Sequence, residues 1–286
     1  MILIFCAAFC SIAVSILVKY FKTMGFNALQ MVMWNYFAAS VLCFVWFKPN
    51  ILQAVAHPSL TPWWLIAALG MLFPFIFLCL AQSLVYAGMV KTEIAQRLSV
   101  VLSLLAAYFI FNESFSFIKL CGIGLGFVAV GCLLAAKQAS AVTTHKNSIR
   151  FLILVWVGYA LVDILLKYNS SLGQSFTLSL NLIFMVAFVL TALTQCIKPQ
   201  TTWQFKNLPA GLLLGAFNFA NIALYVQAHQ QLKDSPALVF MLMNMSVVVF
   251  GAIAGMLIFK EKPNRLTYLG LFAGVLGVLS LAKAMT

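Results

Sequence analysis

The sequence predicts an all-α polytopic membrane protein, ten transmembrane helices set as two inverted five-helix repeats around a central cavity. Three observations predict it. Of 286 residues, 64% are apolar and 8% charged, and mean hydropathy is +1.06, whereas soluble domains are about one-quarter charged. Ten apolar stretches, at 2–21, 29–47, 63–86, 92–111, 117–136, 150–168, 176–196, 209–230, 236–259 and 266–283, each have the roughly 20 residues that a bilayer-crossing helix needs. Finally, "SILVKY" at 15–20 returns as "DILLKY" at 163–168, an offset of 148 residues.

Backbone groups in hydrocarbon must be paired within their own segment, so each stretch reads as a helix. A β-barrel would show short alternating segments instead, and the sequence has none. The first stretch is apolar from Ile2 but lacks the basic start of a signal peptide, so it is expected to be a retained span. It carries Ser11, Ser15 and Lys19 along one face. The second holds Trp34 and Asn35, candidates for a pocket wall, and the polar-candidate face of the third is nearly all apolar.

The fourth is entered through "VKTEIAQRLS", where Lys91, Glu93, Gln96 and Arg97 crowd two turns. Charges inside a span cost about 2.5–3.5 kcal/mol on insertion scales, which makes them functional candidates. Glu93 and Arg97 stand in the favourable i,i+4 order, so a structural ion pair explains Glu93. Arg97 lies ~9 Å along the helix from Lys91. Together they leave a surplus base suited to a carboxylate or phosphate.

The fifth contains "GIGLG" at 122–126, which lacks the strand and βαβ unit of a nucleotide loop. The sixth aligns Trp156, Tyr159, Asp163 and Lys167 on one face at steps of three, four and four. Asp163 is the one acid deep in any span, and Ser15 is its counterpart in the first half. It is the proton-coupling candidate, with an Asp163–Lys167 structural pair as the plainer alternative. The seventh rests on its apolar length.

The eighth carries Asn218, Asn221, Tyr225 and His229 at the same three-four-four steps, able to line a wet cavity and orient a polar ligand. The ninth adds Asn244, while Met241, Met243 and Met245 share no stripe and read as adaptable packing. The tenth has Gly270 and Gly274. Like Gly122/Gly126, Gly211/Gly215 and Gly251/Gly255, these are G-x-x-x-G pairs that let helices approach closely in lipid.

The echo continues across the chain: Gly25 matches Gly173, "FNE" 111–113 matches "FKE" 259–261, and Gly122 and Gly126 match Gly270 and Gly274. Five spans separate equivalent points, and an odd number reverses direction, so Lys19 and Lys167 are expected on opposite sides. The expected division is a first repeat over 1–140, a linker at 141–148 and an inverted second repeat over 149–286. Each Lys-Tyr pair also suits an interfacial anchor.

The formal charge of +12 is scattered among helix ends, which argues against nucleic acid and reads as topology. Counting Lys and Arg near span ends gives five on the side of the termini and eleven opposite. That favours a cytoplasmic linker and outward termini, in a bacterial cytoplasmic membrane. The seven cysteines occur without a C-x-x-C, so neither a metal site nor a disulfide framework is expected.

With five plus five spans, Glu113 and Glu261 just after the fourth helix of each half, and small-xxx-small glycines in the helix that follows, the chain resembles the drug/metabolite transporter superfamily. The resemblance is to its ten-span form with two EamA-like halves and covers the whole length. Asn112 and Lys260 stand where that family usually has Gly before the Glu. The resemblance implies a secondary carrier, not an enzyme, and says little of the cargo. Inverted repeats of this kind rock around a midplane site.

The residues favour a small amphipathic metabolite, an amino acid or other organic anion or zwitterion. Arg97 or Lys91 would receive its negative group, and Trp156 and Tyr159 its apolar part. Asn218, Asn221 and Tyr225 would orient it, with Gln96, Asn244, Trp34 and Asn35 completing the wall, and Asp163 would take an ammonium or a proton. Efflux of lipophilic cations is the alternative, opposed by Lys91 and Arg97. An intramembrane enzyme or lipid scramblase ranks lower: the sequence has no H-E-x-x-H or G-x-S-x-G, and three histidines, at 57, 145 and 229. The expected partners are the bilayer, a small-molecule substrate and a proton or ion gradient, with no cofactor and a homodimer left open.

Overall fold

A computed structural model describes residues 1–56, 61–111, 116–136, 145–173, 175–197, 203–232 and 236–283. Glu113 and the first half of the expected linker, 141–144, fall outside them. All regular structure among the described residues is helical: α1 (Ile2–Thr23), α2 (Ala28–Phe47), α3 (Ile51–Ala56), α4 (Trp63–Tyr86), α5 (Met89–Arg97), α6 (Ser99–Phe111), α7 (Phe117–Ala135), α8 (His145–Ser171), α9 (Phe176–Ile197), α10 (Asn207–Gln231), α11 (Pro236–Leu257) and α12 (Arg265–Lys283). Nine of these are long and apolar enough to cross a membrane.

The fourth expected span is instead two helices, α5 and α6, interrupted at Leu98. Nothing in "QRLSVV" announces the break, since it holds neither Pro nor Gly. It is made good from outside: Trp156 on α8 donates its indole N–H to the Leu98 carbonyl at 3.0 Å. An interrupted helix is tolerated at membrane depth only where such partners replace the lost ones. The short α3 was not expected, and α8 starts at His145, extending into the expected linker.

Local chemistry sets several helix ends. Asn27 Oδ1 accepts the amides of Leu29 and Gln30 at 3.0 and 3.3 Å and starts α2. Ser116 Oγ accepts the Lys119 amide at 3.3 Å and starts α7. The repeat-related Gly25 and Gly173 turn the chain after α1 and α8 with φ of +74° and +75°. A side chain would be strained there.

The two halves interlock. α2 packs on α9, α5 on α11 and α7 on α12, each element meeting its own repeat equivalent; α1 packs on α10, and correspondingly α4 on α8. This pattern is what a pseudo-two-fold axis in the membrane plane generates. Glycines permit the tightest crossings. A Cβ at Gly122 would lie 2.8 Å from Leu281 on α12, and one at Gly215 would lie 2.5 Å from the Asn35 carbonyl oxygen on α2.

Candidate functional site

The helices do not close completely at the centre. A cavity of about 490 Å³ lies between α1, α2, α4, α5, α6, α8, α9, α10 and α11, within the range of pockets that hold small ligands. Eight of the expected site residues line it: Gln96 and Arg97 from α5, Tyr159 and Asp163 from α8, Asn218, Asn221 and Tyr225 from α10, and Asn244 from α11; Ser11 and Ser15 of α1 and Lys167 of α8, also noted in the sequence, join them.

Arg97 is the last residue of α5, and the interruption that follows leaves it facing the cavity. Its guanidinium donates through Nη2 to Ser11 Oγ on α1 at 2.8 Å. The expected Glu93–Arg97 ion pair is not closed. Asp163 lines the same cavity from α8, where its Oδ2 accepts Ser103 Oγ at 3.2 Å and Ser99 Oγ at 3.5 Å, both from α6. Asp163 and Lys167, which also lines the cavity, are exposed to it. Opposite charges thus face one chamber from different helices.

Two side-chain amides of α10, Asn218 and Asn221, reach the cavity. Asn218 Nδ2 donates to Asn35 Oδ1 at 3.3 Å, tying α10 to α2. Asn221 Oδ1 and Asn35 Nδ2 are buried with hydrogen-bonding capacity that no protein group uses. Phe73 and Phe77 of α4, Phe184 of α9 and Tyr36 of α2 form an apolar flank, with Tyr36 and Phe184 rings 5.9 Å apart. Amide dipoles on one wall and rings on another suit a ligand with polar and apolar ends.

Five expected site residues are not brought to the cavity. Lys91 is buried and its ammonium bonds the carbonyl of Ala136, the residue that caps the end of α7, where the last carbonyls of a helix have no partner within it. Glu93 is 1% exposed, with its stem against Gly251 of α11. Trp156 contacts the Leu98 carbonyl and the Phe127 ring and does not line the cavity. Trp34 lies at the α2–α10 crossing, its ring 5.7 Å from Phe37. Asn35 sits one layer back, behind Asn218.

Other lining residues were not singled out: Ser99, Ser103, Tyr36 and the phenylalanines. The i,i+4 spacing of Ser99 and Ser103 was the available signal. Phenylalanines that face a cavity and those that face lipid are indistinguishable in sequence. Among the described residues, no cluster of His, Cys, Asp and Glu could hold a metal ion.

A family model described as EamA-like transporter matches the chain twice, over residues 1–135 and 147–282. The chain belongs to the EamA-like transporter family. The sequence-level resemblance is therefore confirmed, and this EamA-like transporter is an integral membrane protein carrying two copies of the family unit. It is also similar to an uncharacterized protein of Haemophilus influenzae, 34% identical over 280 residues, which covers 96% of this chain and 95% of the relative. Membership makes the chamber between the halves of this EamA-like transporter the place to seek its cargo.

Proposed function

We propose that this transporter moves a small amphipathic zwitterion or organic anion, an amino acid being the simplest example, by alternating access. One observation carries the reading: Arg97 and Asp163, of opposite charge, line the same cavity beside an aromatic flank. Arg97, with Gln96 beside it, receives the carboxylate in charge-assisted hydrogen bonds. Asp163, held between Ser99 and Ser103, receives the ammonium or a coupling proton. Asn218, Asn221, Tyr225 and Asn244 fix the orientation, and Phe73, Phe77 and Phe184 enclose the apolar part.

A lipophilic cation fits less well, because Arg97 and Lys167 both line the chamber and repel it. The setting we propose is a bacterial cytoplasmic membrane with the termini outside, as the charge count favours, and with transport driven by a proton or ion gradient. The test is counterflow in proteoliposomes with labelled leucine, phenylalanine, a dicarboxylate and tetraphenylphosphonium. Movement of an amino acid or carboxylate that is lost in Arg97→Ala supports the reading; movement of tetraphenylphosphonium alone overturns it.

A further inference from the structure

Helix α5 carries Arg97 into the chamber, yet its own start is poorly provided for. The residue before it is Gly88, at φ +88°, which has no side chain to accept the first amides. Those amides are instead accepted from the other half of the molecule. Glu261 Oε1 accepts the Met89 amide at 2.6 Å and Oε2 accepts the Val90 amide at 3.1 Å. A carboxylate there also suits the positive end of the helix dipole. The approach depends on Gly88, since a Cβ at that position would lie 3.0 Å from the carboxylate carbon and both its oxygens.

Glu261 is itself held. Lys19, near the end of α1, donates to Oε1 at 2.5 Å and lies 4.2 Å over the Phe259 ring. The Glu261 amide bonds the Gly255 carbonyl at 3.0 Å, which ties the carboxylate to the end of α11. Among the described residues, one carboxylate therefore joins α1, the start of α5 and the end of α11, drawn from both repeats.

The repeat supplies a comparison for this junction. Lys19 and Lys167 are equivalent in sequence, as are Met89 and Ala237, the latter in the first turn of α11, and Glu261 and Glu113, the last outside the described residues. Yet Lys167 is exposed and lines the chamber, whereas Lys19 is 9% exposed and does not line it. The chamber therefore reaches the Lys167 end of the molecule and stops short of the Lys19 end, as expected of an inverted repeat with one end shut. We propose that Lys19, Glu261 and the first amides of α5 form a latch that shuts the chamber at the Lys19 end and positions the half-helix bearing Arg97.

The latch rests on the alternating-access reading but not on any cargo. Its test uses full-length protein with the native cysteines replaced and a single reporter, Val14→Cys, because Val14 lines the chamber on α1. A charged methanethiosulfonate is applied to each face of sealed membrane vesicles. With the latch intact, the reporter reacts from the face of the termini. Lys19→Met and Glu261→Gln are each expected to raise reaction from the opposite face by about tenfold, a modest shift between two conformations. Lys19→Arg retains the original sidedness.

A purely structural role would lower the melting temperature of these variants and leave sidedness alone. Paired spin labels at Tyr20 and Lys262 give a second readout, with a longer distance appearing when Lys19 is replaced. Unchanged sidedness and unchanged distances in both variants would overturn the latch even if amino acids are carried. Switched sidedness with no cargo moved in counterflow would instead refute the cargo reading and leave the latch standing.

Discussion

Replacing Gly215 by Ala tests whether the α2–α10 crossing sets the geometry of the site. The added Cβ would lie 2.5 Å from the Asn35 carbonyl oxygen and 2.6 Å from the Ala38 Cβ, where ordinary contact begins at 3.4 Å. The first obstacle is backbone, so no rotamer change relieves it. The helices must part by roughly 0.9 Å at this point, an overpacking that costs about 1–3 kcal/mol. The same movement separates Asn218 from Asn35, which are 3.3 Å apart and just bonded. The control is Gly124→Ala on α7, where a Cβ meets nothing within 4 Å and helix propensity gains. Tryptophan-monitored melting in detergent should show Gly215→Ala several degrees below the parent and Gly124→Ala at or above it. Binding in the chamber should weaken as well, because misplacing binding groups by about 1 Å costs up to a hundredfold. If the two variants melt together, close approach at this crossing is not what orders the site.

Three further outcomes follow from the same geometry. Trp156→Phe removes the donor to the Leu98 carbonyl and leaves it unpaired at membrane depth, so stability should fall by about 1–3 kcal/mol in a detergent melt. An unshifted melt would show that the helix interruption does not need the indole. Arg97→Ala should weaken carboxylate-bearing ligands by about tenfold to a hundredfold in equilibrium binding, the worth of one or two charge-assisted bonds, with Arg97→Lys between the two because an ammonium lacks the planar fork. Asp163→Asn should abolish discrimination between an amino acid and the corresponding carboxylic acid in competition binding, since the ammonium loses its counter-charge; retained discrimination would move that role elsewhere.

The spans were legible because hydrocarbon imposes a length and a composition that a sequence must display. The repeat was legible because Gly25 and Gly173 make the same turn and need the same residue. The interruption at Leu98 was not, since the group that satisfies its carbonyl is a tryptophan 58 residues away on another helix, and no local feature encodes it. Three-four-four stripes found the lining of α8 and α10 from Tyr159 to Tyr225, yet the same rule promoted Trp156, which lies on the stripe but reaches a carbonyl beyond it. Lys91 and Glu93 misled for a related reason. A charged residue in a span announces a need for a partner, and whether that partner is ligand or protein depends on where other helices end.

The interlocking of the halves has a consequence for how the chain is made. When the first 136 residues have left the ribosome, α1 has no α10 to lean on and α4 has no α8, because those helices are not yet synthesised. The early helices therefore wait in lipid without their principal packing partners, with Arg97 awaiting the chamber that the later half completes. Two fragments severed between α7 and α8 and translated from separate messages should need each other's company to escape membrane proteolysis.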